Sequence, residues 1–516
     1  MPERNTMKKI QELQQVKGDA YDYYIAGNED TDLFEKIFLV DDIVEEICKP
    51  DKYFLIGEKG SGKTAYSVYM SKSDKINSFC SISLVENTLY QRFLNMKRQK
   101  ALELSSFKDV WINLIYLILA EKIRKEYGET FFSSIKYKQL SKAIDVFYSD
   151  AFKPEFVNAF EFVDNASASI NSMMKQGLFS TGTKASAETS QKYVEQSFQI
   201  SLLKIRDGFE KAFMSVNLKK PTILFVDGID ARPRDIDNEQ YFECLVGLVN
   251  AVLEMNQSFL KEKQIKIMLL IRPDIMYKMP VHNMNQKLRN NSVLLNWVTS
   301  YRKYIDSKLF KIADDYFMKQ QDYYFPYKVE YQEKRKAPDN PFVEFLRYSL
   351  YKPRDILTML NEMVDATSGT QFKHSDFEGI LSNYSTYLKG ELKDYMLIYM
   401  DDSDYNNFSI FFDYFQGHRN FNYKFFEEKH LEYIKYLREL GRKIPPFMET
   451  ASEALQLLYD TNIICYKIYE TLPNGKRKNK MFWSYKERNY ANMQPEVKKG
   501  GEYSFHMAYA RAFRLF

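Results

Sequence analysis

One short stretch limits the possible folds of this chain more than any other feature. Residues 53–56 are aromatic or aliphatic, which is typical of a short buried strand. Directly after them comes a glycine-rich loop that ends in Lys-Thr-Ala: Gly57, Glu58, Lys59, Gly60, Ser61, Gly62, Lys63, Thr64 and Ala65. The pattern Gly-x4-Gly-Lys-Thr is typical of a loop that binds phosphate between a strand and a helix. We therefore expect an α/β fold with a parallel sheet and a ligand at the edge of that sheet.

The residue types of this glycine-rich loop suit a nucleotide phosphate. Glycines let the backbone turn tightly, so that successive N–H groups and the start of the next helix point at an anion. Lys63 is expected to reach the β- and γ-phosphates, and the Thr64 hydroxyl is expected to bind Mg²⁺. The alternative is a glycine-rich turn in which Lys63 and Thr64 occur by chance.

A second apolar run ends in two carboxylates. Residues 223–226 are apolar, Asp227 follows them directly, and Asp230 comes three residues later. Open α/β sheets bind ligands at the carboxyl ends of their strands, so Asp227 is a candidate for holding the water shell of a magnesium ion beside Thr64. Asp230 is a candidate for orienting or deprotonating an attacking water. The alternative is a common buried strand without a function.

Arg272 is a candidate sensor of bound phosphate. It directly follows the apolar run 265–271, which places it at the same edge of the predicted sheet. The alternative is a surface arginine held by Asp274.

Length and composition set the broad class of the protein. A chain of 516 residues exceeds the size of one hydrophobic core, so we expect about two to four domains. No apolar run approaches the roughly 20 residues of a membrane span, and the amino terminus lacks the pattern of a secretion signal. These features predict a cytoplasmic protein without membrane contact. The four cysteines are isolated in sequence and are expected to be reduced core thiols: Cys48, Cys80, Cys244 and Cys465.

Charge is distributed unevenly along the chain. The formal net charge of the chain is +4. Residues 466–516 contain eleven Lys or Arg and four Glu, a net charge of +7, so the rest of the chain has a net charge of −3. Residues 462–470 and 480–486 read as two strands around the turn 473–475, preceded by helices over 422–440 and from Thr450. Two helices and a hairpin form the layout of a winged helix. Its basic tip is a candidate contact for nucleic acid: Lys476, Arg477 and Lys478.

Periodicity predicts the remaining elements. Strands are expected at 78–84, 265–271 and 292–295. Helices are expected at 101–127, 133–150, 192–216, 238–260, 297–317 and 375–399. Residues 165–191 are rich in Ser, Ala, Thr and Gly, which predicts an exposed insertion or mobile loop.

Three short motifs together resemble a known class of ATPase. These are the glycine-rich loop, the segment Val-Asp-Gly-Ile-Asp at 226–230, and the segment Leu-Leu-Ile-Arg at 269–272. They look like the core of the additional-strand P-loop class that includes AAA+ and STAND proteins, and are nearest to NACHT and KAP-like ATPases. The resemblance covers roughly residues 30–365. This chain departs from the NACHT-like motif at one position, because Ala231 stands where that motif carries Glu. Asp230 is therefore the nearby candidate base.

The resemblance implies a specific architecture. It implies the sheet order 5-1-4-3-2, with Lys63 and Asp227 meeting across the strand that ends at Arg272. The segment Leu-Tyr-Lys-Pro-Arg-Asp-Ile at 350–356 resembles the start of the lid helix in AAA+ and related proteins, and Pro353 suits its first turn. The resemblance implies that Arg354 is a second sensor of bound phosphate. The alternative is an exposed arginine at an ordinary helix start. The domain boundaries that follow are a helical lead-in at 1–48, an ATPase core at 49–318 with an insertion at 85–220, a lid at 319–400 and a winged-helix-like domain at 401–516.

The leading hypothesis for function is an ATP-driven conformational switch. ATP is favoured over GTP because no Asn-Lys-x-Asp motif occurs in the chain. The resemblance adds a homo-oligomer or an effector protein as possible partners, and a role in bacterial defence against phage. The alternative is a DNA-handling ATPase, of the loader or transposition-helper type, that uses the basic winged helix. A small-molecule kinase is disfavoured by the long carboxy-terminal module.

Overall fold

A computed structural model describes most of the chain. The described residues are 9–25, 28–85, 107–132, 137–151, 202–230, 232, 238–279, 283–324, 341–367, 369–471 and 477–516. They form two compact units that alternate along the sequence. The sheet unit comprises Asp42–Ile56 and Tyr66–Val293, and the loop unit comprises Met1–Asp41, Gly57–Ala65 and Leu294–Phe516.

The described residues contain nine strands in two sheets. They are β1 (Phe54–Ile56), β2 (Phe79–Leu84), β3 (Thr222–Asp227), β4 (Ile265–Ile271), β5 (Ser292–Leu294), β6 (Asn420–Asn422), β7 (Ile464–Thr471), β8 (Arg477–Phe482) and β9 (Glu502–Phe505). The first sheet has the order β5-β1-β4-β3-β2, and the second has the order β6-β9-β7-β8. In the first sheet, β1 pairs with β4, β4 with β3 and β3 with β2, all in parallel. The pairings of the second sheet are antiparallel.

Helices make up most of the remaining described structure. The α-helices are Tyr21–Ile25, Asn28–Ile37, Asp42–Cys48, Lys63–Lys72, Phe107–Phe132, Lys138–Ala151, 202–215, Asn238–Gln257, Pro273–Lys278, Met284–Asn291, Lys308–Tyr316, Gln321–Tyr324, Pro341–Tyr348, Pro353–Ala366, His374–Met396, Asp402–Ile410, Tyr423–Glu439, Ala451–Asp460, Ser484–Glu487 and Met507–Ala512. Short 3-10 helices occur at Ile10–Glu12, Phe259–Lys261, Tyr301–Lys303 and Phe411–Phe415. None of the described helices combines the length and apolar character that crossing a bilayer requires.

The parallel sheet is the core of the sheet unit. Every residue of β3 and of β4 is buried, which explains why both strands read as nearly continuous apolar runs. The helix Asn238–Gln257 packs against β4 and against the helix Phe107–Phe132. A Cβ atom at Gly247 would lie 2.6 Å from the Cβ of Phe107, so the close approach of these two helices requires glycine there.

The loop unit combines packed helices with the antiparallel sheet. The helix His374–Met396 packs against Pro353–Ala366 and against the carboxy-terminal helix Met507–Ala512. Thr450 caps the helix Ala451–Asp460 and forms the predicted capping box with Glu453. These contacts join the predicted lid to the carboxy-terminal segment within one unit.

Several predicted boundaries need correction. The strand expected at 480–486 is instead β8, which ends at Phe482, and a short helix occupies Ser484–Glu487. The helix expected at 297–317 begins at Lys308, where Ser307 caps it by accepting a hydrogen bond from Phe310 N. The two units of the structure alternate along the chain, so the boundaries of the four predicted domains stay predictions. Residues 165–191 lie outside the described residues.

Candidate functional site

The glycine-rich loop starts at the edge of the parallel sheet. Because β1, β4 and β3 run in parallel, their carboxyl ends share one edge, and Gly57 follows the last residue of β1. Gly60 and Gly62 have φ values of +83° and +91°, which L side chains rarely adopt. The helix Lys63–Lys72 begins at the end of the loop, and the N–H groups of a first helical turn have no partner within their own helix.

A buried serine explains the glycine at position 57. A Cβ atom there would lie 2.2 Å from Ser61 Oγ, so only glycine fits below this hydroxyl. Ser61 is 2% exposed, and its Oγ has no hydrogen-bond partner among the described residues. The Ser61 carbonyl accepts a hydrogen bond of 2.9 Å from Trp297 Nε1, which fixes the backbone of the loop from outside. The loop therefore contains a buried hydroxyl with unused hydrogen-bonding capacity.

Lys63 lies across the loop that precedes it. Its Nζ donates hydrogen bonds to the carbonyl oxygens of Gly57 and Glu58, at 2.9 and 3.2 Å. The residue is 8% exposed, whereas Thr64 and Ala65 after it are half-buried. An ammonium group in this position can meet an anion that the loop backbone binds.

Arg354 contacts the loop at the start of its own helix. The backbone N–H of Arg354 donates to the carbonyl oxygen of Gly60 at 3.3 Å. A Cβ atom at Gly60 would lie 3.1 Å from the Cβ of Arg354, so a larger residue at Gly60 would press on this helix. The next residue, Asp355, is buried and accepts a hydrogen bond from Leu350 N at 2.8 Å. The structure thus brings the predicted second sensor to the predicted phosphate loop.

Two carboxylates of one helix bind the third residue of the loop. Lys59 Nζ lies 3.3 Å from Glu391 Oε2 and 3.3 Å from Asp394 Oδ2, and both acids belong to the helix His374–Met396. Arg354 Nη1 lies 3.6 Å from the same Oε2 of Glu391. The sequence analysis did not identify Glu391 or Asp394, because an amphipathic helix with charged residues is ordinary.

The carboxy-terminal segment also contacts the loop. Arg488 forms an ion pair through Nη1 with Glu58 Oε1, and its Nη2 donates to the carbonyl oxygen of Asp460 at 3.0 Å. The Arg488 side chain is 6% exposed and that of Glu58 is 15% exposed. Nothing in the local sequence marked Arg488, because its partner lies 430 residues earlier in the chain.

In the sheet unit, Asp227 is the last residue of β3. The sequence predicted a strand that ends at this carboxylate. It is 7% exposed, and its Oδ1 accepts a hydrogen bond of 2.8 Å from Gly228 N. Gly228 has a φ of +82°, which turns the chain directly after the strand. Asp230 is half-buried, and its negative charge, after burial, contributes to a raised pKa of the Tyr241 hydroxyl.

Arg272 is tightly paired with a neighbouring carboxylate. Its Nε and Nη2 donate to Oδ1 and Oδ2 of Asp274 at 3.0 and 2.6 Å, which is a two-point contact. Arg272 is 1% exposed. The alternative prediction, a surface arginine held by Asp274, is correct about Asp274 as the partner of Arg272 and wrong about exposure, because Arg272 is buried.

The other candidate features are only partly described. Lys476 lies outside the described residues, and Arg477 and Lys478 are described only as the first residues of β8. Cys80, Cys244 and Cys465 are buried, but Cys48 is exposed and is not a core thiol. Within the described part of the chain, no group of three or more His, Cys, Asp or Glu is arranged to bind a metal ion.

Comparison with known proteins gives no relative from which a function could be transferred. No protein family model, no curated protein and no solved structure matches the chain. The function is therefore argued from the residues and geometry described above.

Proposed function

We propose that the protein binds ATP through the glycine-rich loop and hydrolyses it as part of a conformational switch. The observation that carries this proposal is the arrangement of Ser61 and Lys63 on the loop backbone. A buried hydroxyl that has no hydrogen-bond partner among the described residues, an ammonium over the loop and a helix start all favour an anion at one place. The three glycines explain how the backbone can approach a phosphate closely.

Oxygen donors from two of the sequence motifs are proposed to hold magnesium. The proposal assigns the Thr64 hydroxyl as a direct ligand and the Asp227 carboxylate as a holder of the metal's water shell, since Mg²⁺ prefers oxygen and keeps several waters. The ion would neutralise charge on the phosphates when bound. Asp230 is proposed to accept a proton from the attacking water, and Lys63 to hold the phosphate charge.

The proposed switch is supported by what surrounds the loop within its unit. Residues of the helix Pro353–Ala366, the helix His374–Met396 and the carboxy-terminal segment all contact the loop through Arg354, Glu391 and Arg488. A ligand that changes the charge on the loop would therefore alter contacts in three distant parts of the sequence. Defence against phage belongs to this proposal only through the resemblance, and the neighbouring genes would test it.

The test uses the full chain and two matched carboxamide variants. We expect wild-type protein to bind a fluorescent ATP analogue in the presence of Mg²⁺ and to release phosphate from ATP. Asp227→Asn should weaken the magnesium-dependent part of binding, whereas Asp230→Asn should preserve binding and slow phosphate release. A folded wild-type protein that binds no nucleotide would disprove the proposal. Identical behaviour of the two variants would disprove the assigned roles.

A further inference from the structure

One carboxylate oxygen beside the loop is shared by two cations. Glu391 Oε2 lies 3.3 Å from Lys59 Nζ and 3.6 Å from Arg354 Nη1. Lys59 belongs to the glycine-rich loop, and the backbone of Arg354 is hydrogen-bonded to that loop. Glu391 therefore offers these two side chains the same kind of oxygen that a phosphate would offer.

The geometry of this cluster indicates contacts that can exchange. Charge-assisted hydrogen bonds between nitrogen and a carboxylate are usually about 2.7 to 2.9 Å long, and both contacts of Glu391 are longer. The side chains of Lys59, Glu391 and Arg354 are 26%, 22% and 29% exposed. Partly exposed ion pairs of this kind contribute little to stability, so their rearrangement meets a small energetic cost.

Open space adjoins the charged ends of these side chains. A cavity of about 40 Å³ is lined by Glu58, Lys59, Arg354, Tyr387, Glu391 and Tyr395, among other residues of the loop unit. About 10 to 15 Å³ of such space is enough for one water, so the cavity has room for water beside Arg354 and Glu391. With an exposed fraction of 29% and this space beside it, the Arg354 side chain has room to leave Glu391.

We propose that Glu391 is a positioning residue that lowers nucleotide affinity by competing with phosphate for Arg354. This inference rests on the proposed ATP site and adds a determinant of its strength. Phosphate carries more charge than a carboxylate and matches the fork of an arginine, so a bound nucleotide displaces Glu391 from Arg354. Part of the binding energy is used for this exchange, and the measured affinity is lower than that of the loop with Arg354 already available.

The test compares Glu391→Gln with Asp394→Asn by equilibrium titration of the full-length protein with a fluorescent ATP analogue. Glu391→Gln removes the competing charge and is expected to tighten binding by about threefold to fivefold, as a pair worth up to about 1 kcal/mol allows. Asp394→Asn is the matched control, because Asp394 pairs with Lys59 from the same helix. It should change affinity less than about twofold. Glu391→Asp retains the charge on a side chain that is one methylene shorter, so its affinity should lie between those of wild type and Glu391→Gln.

A double variant separates competition from a general structural effect. In the Arg354→Met background, adding Glu391→Gln should no longer tighten nucleotide binding, because the protein has no Arg354 guanidinium left to release. Thermal unfolding of each variant checks that the fold is retained. Wild-type protein without nucleotide binding would overturn the proposed function and this inference together. Wild-type binding with no gain in folded Glu391→Gln, or a gain that persists without Arg354, would overturn the inference alone.

Discussion

The two candidate sensor arginines differ in how firmly each is held. Arg272 is 1% exposed and makes a two-point contact with Asp274, two residues away. The side chain of Arg354 is 29% exposed, and the described residues give its guanidinium one ion pair, the 3.6 Å contact with Glu391 of another helix. A buried arginine with both donor sites engaged must break strong interactions before it can bind anything else. A half-exposed arginine with one long contact can change partners cheaply.

This difference assigns separate roles to the two residues. Arg272 precedes Pro273 at the start of the short helix Pro273–Lys278, and its pairing with Asp274 stabilises the turn after β4. Arg354 is positioned at the glycine-rich loop by its backbone while its side chain can exchange partners. We therefore expect Arg272 to act mainly on stability and Arg354 mainly on ligand binding.

The largest expected effect is on the stability of the sheet unit. Arg272→Met leaves the Asp274 carboxylate, whose side chain is 8% exposed, without its arginine. Breaking a buried pair in this way costs about 3 to 5 kcal/mol. Urea unfolding followed by circular dichroism measures the change, with Arg354→Met as the matched control that should cost less than about 1 kcal/mol. Equal losses in the two variants would contradict the comparison.

The second largest effect is expected on ATP affinity, in Lys63→Ala. Lys63→Ala removes an ammonium that lies across the glycine-rich loop, so ATP affinity should fall by about a hundredfold, or about 2.7 kcal/mol. Stability should change much less than in Arg272→Met, because the hydrogen bonds from Lys63 Nζ to the carbonyl oxygens of Gly57 and Glu58 lie within one loop. Fluorescent-nucleotide titration measures the affinity. Unchanged affinity in folded Lys63→Ala protein would remove the loop from the proposed site.

His506 is a buried basic group that feels the positive charge of Arg419. Burial, and then the positive charge of Arg419, lowers the pKa of His506 to about 3. The unfolded chain binds this proton near pH 6.5 and the folded chain does not. The stabilisation is therefore complete above about pH 6.5 and is lost as pH falls, by about 1.4 kcal/mol per pH unit, or about 2 kcal/mol at pH 5.

The measurement for His506 is unfolding free energy against pH. His506→Phe cannot bind the proton, so its stability should depend less on pH between about 6.5 and 4 than that of wild type. The difference between the two slopes isolates His506 from other titrating groups. Parallel curves would show that His506 is already protonated or exposed in the folded protein.

The smallest expected effect concerns Arg354 as a sensor. Arg354→Met should weaken ATP binding by about tenfold, since one charge-assisted contact is worth about 1.5 kcal/mol, and should leave stability nearly unchanged. Nucleotide titration measures the ATP affinity of this variant, and urea unfolding of the same preparation measures its stability. Unchanged ATP affinity, or a stability loss as large as that of Arg272→Met, would break the distinction between the two arginines.

The strands of the parallel sheet were predictable from sequence because burial leaves a local signal. β4 was predicted at its observed bounds, Ile265–Ile271, and β3 and β2 within one residue. All seven residues of β4 are buried, so an uninterrupted apolar run marked it. The antiparallel sheet was harder, because β7 becomes exposed towards its end and the short strands β6 and β9 have no distinctive pattern. Both of these short strands were missed.

The sequence by itself determined the glycine-rich loop, the carboxylate at the end of β3 and the arginine at the start of the helix Pro353–Ala366. These features depend on neighbouring residues, where backbone freedom, capping and apolar runs act directly. Only the tertiary structure decided which side chains surround the loop. Lys59 meets Asp394 across 335 residues and Glu58 meets Arg488 across 430. Such contacts arise from the packing of whole helices within the loop unit, and no local pattern encodes them.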